Sequence, residues 1–267
     1  MPTIKQFLEK AGDLQLDAEV TLAKALAKDR SFLAAHPEEN VPGQAVTLFQ
    51  KRKNGMPLAY VLGEKEFYGR KFEVNRHVLI PRPETETVVE MALARISNTT
   101  LGDGQFITVV DVGTGSGVIA ATIDLEAKKP VNVIGLDLSS EALAMAEKNC
   151  NQLGARVKLL KSNLLEAFSE GIQNTGETIL VANLPYVSKN WDWISKELKY
   201  EPEMALFTDE NGLKVIFDFL EQVDNKVDEG FVYLEADPCQ HETIRKKVED
   251  LGMRFIRSQD FGIEIEI

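Results

Sequence analysis

Cysteine, histidine and long apolar runs are scarce in this chain, and each scarcity removes a class of protein. Two cysteines, Cys150 and Cys239, among 267 residues exclude a disulfide scaffold and a thiolate zinc centre, since both need more sulfurs. The three histidines, His36, His77 and His241, lack the spacing that puts two imidazoles on one helix face, so no metal is expected. No apolar stretch approaches the roughly eighteen residues of a bilayer-spanning helix, and no leader-like segment opens the chain, so a cytoplasmic protein without a membrane partner is expected. A basic excess is missing too: 30 Lys and Arg stand against 42 Asp and Glu, a formal −12. Residues 1–80 carry 12 basic and 10 acidic side chains and the remainder 18 and 32, so the later part holds −14. A surface of that sign repels a phosphate backbone, and no direct nucleic-acid partner is expected.

What is present divides in two. Residues 1–75 have no glycine loop and carry apolar residues at helical spacing, Val20, Leu22, Ala23, Leu26 and Ala27, then Val46, Leu48 and Phe49, which predicts a small helical domain. Lys51-Arg52-Lys53 reads as a solvated helix end. Phe67, Phe72, Val74 and Val78 around Tyr68-Gly69-Arg70 predict a hairpin linker over about 63–82. From Pro83 strands and helices alternate, so residues 76–267 are expected to form an α/β domain with a mostly parallel sheet covered on both faces.

Three segments of that second part carry chemistry. Ile107-Thr108-Val109-Val110-Asp111 passes into Val112-Gly113-Thr114-Gly115-Ser116-Gly117 and then Val118-Ile119-Ala120-Ala121, a strand, a glycine loop and a helix. Alternate glycines let backbone approach a ligand closely, and Asp111 at the strand end can reach an amino group or a water beside it. A dinucleotide fingerprint would need glycine where Val118 stands, which argues against a nicotinamide cofactor. The run Val131 to Gly135 leads to Asp137, an acid placed to bind a ribose diol; Ser139 or Ser140 before Glu141 also reads as a helix cap. Val157 to Leu160 leads to Ser162-Asn163-Leu164-Leu165. Last, Ile179-Leu180-Val181 delivers Asn183-Leu184-Pro185-Tyr186. A carboxamide oxygen, a main-chain carbonyl and a flat ring at one strand tip suit a planar NH2 group, although the same four residues also read as a strand ending in a proline turn.

The glycine loop with Asp137 resembles the class I S-adenosylmethionine-dependent methyltransferases, and nearly the whole chain resembles the release factor glutamine methyltransferases of the HemK/PrmC family. Carrying that resemblance are Asp17-Ala18-Glu19 onward to Leu33, Pro57 to Gly63, Glu66-Phe67-Tyr68-Gly69 and Leu79-Ile80-Pro81-Arg82-Pro83-Glu84-Thr85-Glu86. Later come Tyr200-Glu201-Pro202 with Ala205-Leu206, Asn211-Gly212-Leu213, and Leu234-Glu235 with Gln240. The resemblance implies a Rossmann-like methyltransferase domain, S-adenosyl-L-methionine as donor and S-adenosyl-L-homocysteine as product. It implies N5-methylation of the glutamine in the Gly-Gly-Gln motif of peptide chain release factors, the protein partner. Cofactor contacts are implied for Asp111, Gly113, Thr114, Gly115, Ser116, Gly117, Asp137, Asn163, Leu164 and Asn183, with Pro81 to Glu86 as a wall of that pocket. Substrate chemistry is implied for Asn183, Leu184, Pro185 and Tyr186.

Three positions depart from the family pattern. Leu184 stands where Asn-Pro-Pro-Tyr has its first proline; the position is used through its carbonyl, which leucine also has, and leucine adds an N–H donor. Asn163 stands where an acid is common, keeping an acceptor and adding a donor. The segment Asp260 to Ile267 lacks the family's usual arginine.

An amide nitrogen is a poor nucleophile because its lone pair is delocalised into the carbonyl. Asn183 Oδ1 and the Leu184 carbonyl are expected to accept its two N–H groups and hold it in line with the sulfonium methyl, with Tyr186 stacked on the amide. The methylated amide cation sheds a proton readily, so no strong base is needed. Trp191 and Trp193 are candidates for a substrate lip, the helical domain for substrate recognition, and a monomer is the expected state. The rivals are an adenine N6 methyltransferase acting on nucleic acid, a glutamine methyltransferase of a ribosomal protein, and a non-catalytic binding module. The acidic balance and the helical domain argue against the first, and the intact loop glycines and Asn183 against the last.

Overall fold

The computed structural model describes residues 1–172, 176–191 and 195–267. They form two compact units, one of Met1–Lys65 with Ser195–Tyr200, the other of Glu66–Ile194 with Glu201–Ile267.

The first unit is built of α1 (Ile4–Glu9), α2 (Gln15–Leu26), α3 (Arg30–Ala35), α4 (Gly43–Lys53) and α5 (Leu58–Leu62). Thr3 and Gln6 start α1 with a reciprocal capping box, and Ala27 closes α2 in the left-handed region at φ 53°. Leu22, Ala23, Leu33, Ala45 and Phe49 pack with Ile4 and Phe7, the two phenylalanines edge to face at 5.2 Å. Val46, expected in that apolar set, is exposed. The inward stripe of α4 is Ala45 and Phe49, one turn apart, and Val46, the next residue after Ala45, is rotated about 100° away. Arg52 also departs from a solvated helix end. It is shared between Asp17 Oδ2 at 2.5 Å and Glu197 Oε1 at 2.7 Å, and it donates to the Met56 carbonyl. The Tyr200 hydroxyl donates to the Asn54 carbonyl at 2.8 Å, so residues far along the chain complete this unit.

The compact units divide between Lys65 and Glu66 rather than near residue 75, because the hairpin of β1 (Glu64–Phe67) and β2 (Arg70–Glu73) sends Phe67 and Phe72 into the core of the second unit. Its turn, Tyr68 and Gly69, has φ of 50° and 70°, the paired positive values of a tight two-residue hairpin turn. Then follow α6 (Thr85–Asn98), β3 (Ile107–Val112), α7 (Val118–Glu126), β4 (Val131–Asp137), α8 (Ser140–Leu153), β5 (Val157–Lys161) and β6 (Thr178–Ala182). After α9 (Glu203–Leu206) and the irregular turn α10 (Asp209–Gly212) come α11 (Lys214–Lys226), β7 (Phe231–Glu235), α12 (His241–Asp250), β8 (Arg254–Gln259) and β9 (Gly262–Glu266).

Seven strands form one sheet in the order β5-β4-β3-β6-β7-β9-β8. The first five are parallel, and the β8–β9 hairpin adds antiparallel to β7. Alternate residues feed two cores: Val110, Leu180 and Val232 face α11 and α12, and Val109, Val181 and Tyr233 face α6 and α7. A strand covered on both faces has no polar side, which is why β3 and β6 read as continuous apolar runs. This is the Rossmann-like methyltransferase fold, with β3 and β6 meeting where the chain reverses its direction of travel across the sheet. Ligands of open parallel sheets bind beyond the strand ends at such a switch point.

Candidate active site

A cavity of about 380 Å³ lies there, lined by residues that follow β3, β4, β5 and β6, among them Gly113 to Ser116, Asp137, Ser162 to Leu164 and Asn183 to Pro185. The first strand supplies the glycine loop. Gly113 and Thr114 both donate their main-chain N–H to the Leu136 carbonyl, Gly115 donates to Asp137 Oδ2 at 2.9 Å, and Gly117 to the Thr114 carbonyl. With those four amides engaged inside the fold, the loop does not offer them as a nest for a phosphate. The loop therefore suits a cofactor without phosphates, and Gly113 at φ 75° brings backbone to the cavity wall.

Asp137 ends β4 with its carboxylate at the cavity, Oδ2 on Gly115 and Oδ1 on the Ser139 N–H at 2.8 Å. Each oxygen keeps a lone pair, so the group can accept two hydroxyls from a vicinal diol. Burial raises its pKa, opposed by those N–H donors. Ser139 also caps α8 by accepting Ala142 N–H, so the cap and the acid coexist. Asn163 lines the cavity and donates its Nδ2 to Glu166 at 2.8 Å, which leaves Oδ1 as an acceptor, while Leu164 beside it takes φ 52°. Apolar walls come from Ile119, Leu138 and Leu164. An adenosine joined to an amino acid without any phosphate fits this donor and acceptor set.

Two expected cofactor residues, Asp111 and Gly117, are not among the residues that line the cavity. Asp111 is fully buried, and its Oδ2 accepts the Thr114 hydroxyl at 2.6 Å and the Ala120 N–H at 3.1 Å, tying the loop to the start of α7. Its Oδ1 has no hydrogen bond, and burial pushes its carboxyl up to about 7. Gly117, at φ 81°, lies where a Cβ would come within 3.1 Å of the Ala146 Cβ, so it brings α7 against α8.

The strand β6 delivers Asn183, Leu184 and Pro185 to the cavity. Its ladder with β7 ends at Ala182 opposite Leu234, so the carbonyls of Asn183 and Leu184 lie past the sheet. Asn183 donates Nδ2 to Thr85 Oγ1 at 3.0 Å, and Oδ1 is the edge of that carboxamide left for the cavity. The Leu184 side chain is buried in the core, so its chemical contribution is the main chain.

Tyr186 is fixed through its hydroxyl and its main-chain carbonyl. It is not among the cavity-lining residues; its hydroxyl donates to Glu235 Oε1 at 3.1 Å, while its carbonyl accepts Gln240 Nε2 at 2.9 Å. Gln240 donates also to the Asn211 carbonyl, and Gly212 at φ 87° passes so close that a Cβ would meet the Tyr186 carbonyl at 2.0 Å. Burial, then the Glu235 charge, raises the phenol's pKa and keeps it a neutral donor. Glu235 is itself buried and pushed up to about 7, with the Thr85 and Tyr186 hydroxyls partly offsetting that burial. Thr85, Glu235, Gln240 and Gly212 thus hold the tip from behind. The sequence offered one signal for Glu235, an acid closing the apolar run Val232-Tyr233-Leu234, where an ionisable group enters a core only for a reason.

Pro81, Arg82 and Thr85 line the cavity, as expected of a wall segment, whereas Glu84 and Glu86 do not. Glu86 instead accepts the Tyr68 N–H of the hairpin turn. Buried Glu201 clamps the wall, with Oε1 on Arg82 at 2.5 Å and Oε2 on the Ile80 N–H at 2.9 Å. Trp191 is absent from the cavity lining, and Trp193 lies outside the described residues. No cluster of metal-ligating side chains occurs among the described residues, nor does a helix long and apolar enough to cross a membrane.

Known proteins share both units. The family profile described as the PrmC N-terminal domain matches residues 3–63, and one described as a methyltransferase domain matches residues 109–198. A release factor glutamine methyltransferase of Bacillus subtilis (strain 168) is 38% identical over 81% of this chain and 76% of its own length. One of Bacillus anthracis is 36% identical over 82% and 78%. Among solved structures, a Thermus thermophilus 16S rRNA N2 G1207 methyltransferase in complex with AdoMet and guanosine superposes with a TM-score of 0.50 at 15% identity, covering 76% of this chain and 48% of that one, a likeness of fold. Identity of that depth across four-fifths of the chain, with a phosphate-free cofactor loop and an Asn183 tip at one cavity, places this chain in the release factor glutamine methyltransferase family.

Proposed function

We propose that this protein methylates the side-chain nitrogen of the glutamine in the Gly-Gly-Gln motif of peptide chain release factors, with S-adenosylmethionine as donor. The observation that carries the reading is the Asn183 carboxamide, turned by Thr85 so that Oδ1 is left for the cavity, in a chain whose relatives are named release factor glutamine methyltransferases. S-adenosylmethionine supplies a methyl group on a positively charged sulfur. Asp137 would hold its ribose hydroxyls and Asn163 Oδ1 its adenine amine, with Leu138 and Leu164 as apolar walls of the same cavity. Asn183 Oδ1 and a main-chain carbonyl at Leu184 accept the two N–H groups of the substrate amide. Two acceptors fixed in advance orient the nitrogen and favour its pyramidal form, so positioning supplies most of the rate. Pro185 stiffens the tip, and Tyr186 anchors it from behind by its hydroxyl to Glu235.

The helical unit is proposed to recognise the release factor, and the unit of Glu66–Ile194 with Glu201–Ile267 to carry the catalysis. The formal −12 of the chain supports a protein substrate over nucleic acid. A cytoplasmic monomer completes the reading. The test incubates the purified protein with labelled S-adenosylmethionine and, separately, release factor, ribosomal protein and ribosomal RNA, then locates the label by mass spectrometry. Label on the Gly-Gly-Gln glutamine is expected; label confined to an adenine or to a ribosomal protein refutes the proposal.

A further inference from the structure

We infer that Gln240 is a positioning residue of the amide clamp, aiming the Leu184 carbonyl at the substrate nitrogen by holding the peptide plane that closes the tip. The inference rests on reading Leu184 as a main-chain acceptor for the substrate amide. No substitution deletes a main-chain carbonyl, so its direction is set by whatever fixes the chain on either side of it. Upstream, the strand ladder runs to Ala182 opposite Leu234. Downstream, peptide groups are planar and the Pro185 ring holds its φ at about −65°, so Pro185 ψ and Tyr186 φ and ψ are the backbone rotations left between the Leu184 and Tyr186 carbonyls. A group that fixes the Tyr186 carbonyl therefore steadies the Leu184 carbonyl with it.

Gln240 is such a group. It is buried, and its Nε2 donates to the Tyr186 carbonyl at 2.9 Å and to the Asn211 carbonyl at 3.0 Å, while Oε1 accepts the Asp237 N–H at 3.2 Å. Both donors are spent, and a flipped carboxamide would set its oxygen against two carbonyls. The other edge of the same peptide plane is held as well, Val187 N–H donating to the Leu206 carbonyl at 3.0 Å. The chain that packs on this plane takes an unfavourable path: Glu210, Asn211 and Gly212 follow one another at φ 55°, 58° and 87°, and the first two carry a Cβ that disfavours that region. What the path provides is contact. It gives Gln240 the Asn211 carbonyl, and it brings Gly212 so near that a Cβ there would lie 2.0 Å from the Tyr186 carbonyl oxygen and 2.7 Å from Gln240 Nε2. Left-handed residues held in place by their surroundings gather at functional sites, and these three close on the last residue of the tip.

The test measures methyl transfer to a release factor, S-adenosylhomocysteine binding by calorimetry and urea unfolding in wild type, Gln240→Met, Gln240→Glu and Val248→Ala. Methionine keeps the length of glutamine and loses both donors. Gln240→Met is expected to lose about tenfold in kcat, with KM for release factor and cofactor affinity within about twofold. Val248 is buried further along α12, and Val248→Ala should lower stability yet keep kcat within about twofold. In Gln240→Glu an ionised carboxylate faces two carbonyl oxygens, whereas a protonated one can donate to them. Its kcat relative to wild type at the same pH should therefore rise about threefold or more from pH 8 to pH 6, and that of Gln240→Met should stay flat. Wild-type kcat in Gln240→Met, an equal loss of kcat in Val248→Ala, or a flat ratio for Gln240→Glu overturns the inference. Should Gln240→Met fail to fold, Gln240→Asn, whose carboxamide falls one methylene short of both carbonyls, carries the same expectation and the same refutation. A wild type that labels RNA and leaves release factor untouched refutes the substrate reading instead, and the same variants measured on RNA then decide the role of Gln240.

Discussion

Asp111 and Glu235 sit near the ends of β3 and β7, the two strands that flank β6, and they solve different problems with the same group. Both are buried, both are pushed up to about 7 by that burial, and each leaves one oxygen without a hydrogen bond. Asp111 holds groups close in sequence, the Thr114 hydroxyl and the Ala120 N–H, and so shapes one continuous loop. Glu235 accepts the Tyr186 hydroxyl from 49 residues earlier in the chain, and so ties together parts of the chain that only the fold makes neighbours. One acid serves the cofactor loop and the other the substrate tip, which makes their effects separable.

The sharpest break of that pairing is at the tip itself. Asn183→Ala should lower kcat on release factor by on the order of a hundredfold or more, the loss of one preorganised acceptor. Near-normal turnover would remove Asn183 from the mechanism.

Next in size is a pH effect on stability. The native Glu235 carboxyl keeps its proton to about 7, whereas the ordinary value is 4.5. Across that window the native state holds a proton the unfolded chain has lost, so stability contributed by this group is present at low pH and lost as pH rises towards 7. Glu235→Gln cannot titrate, and Asp111 titrates in both proteins. Urea unfolding should therefore show Glu235→Gln gaining roughly 2 kcal/mol on wild type between pH 5 and pH 8. Parallel pH profiles would contradict a proton held in the native core.

Asp111→Ala tests the other member of the pair. It should weaken S-adenosylhomocysteine binding about tenfold by loosening the loop, and Glu235→Gln should not; equal losses would end the division of labour. The smallest effect is structural. Gly117→Ala should cost about 1 kcal/mol or somewhat more, because φ is positive there and the new Cβ meets Ala146, with the catalytic tip left intact. Unfolding by urea measures the first half of that statement and kcat the second.

The contrast between the acids also explains what could be read from sequence. Asp111, its glycine loop, Asp137 and the Asn183 tip are local patterns, strand ends joined to turns, and the parallel sheet follows from the alternation of apolar runs with helical ones. Which way a residue faces is not local. The carboxyl that accepts the Tyr186 hydroxyl lies 49 residues further along the chain, and Val46 reads as core until the rotation of α4 turns it outward. Arg52 reads as a free charge because Asp17 and Glu197, its two partners, are 35 and 145 residues away. Side chains whose partners come from remote segments carry no periodic signal, and the residues backing the tip are all of that kind.

The short stretch Ser195–Tyr200 sets a limit on how this chain can be cut. It belongs to the helical unit although it lies between two parts of the other, so the chain passes between the units at three places. A chain started at Glu66 would still carry Glu197 and Tyr200, now deprived of Arg52 and Asn54. The helical unit is therefore not a module that can be exchanged by a single splice: grafting one from a relative requires replacing this insert in the catalytic half along with it.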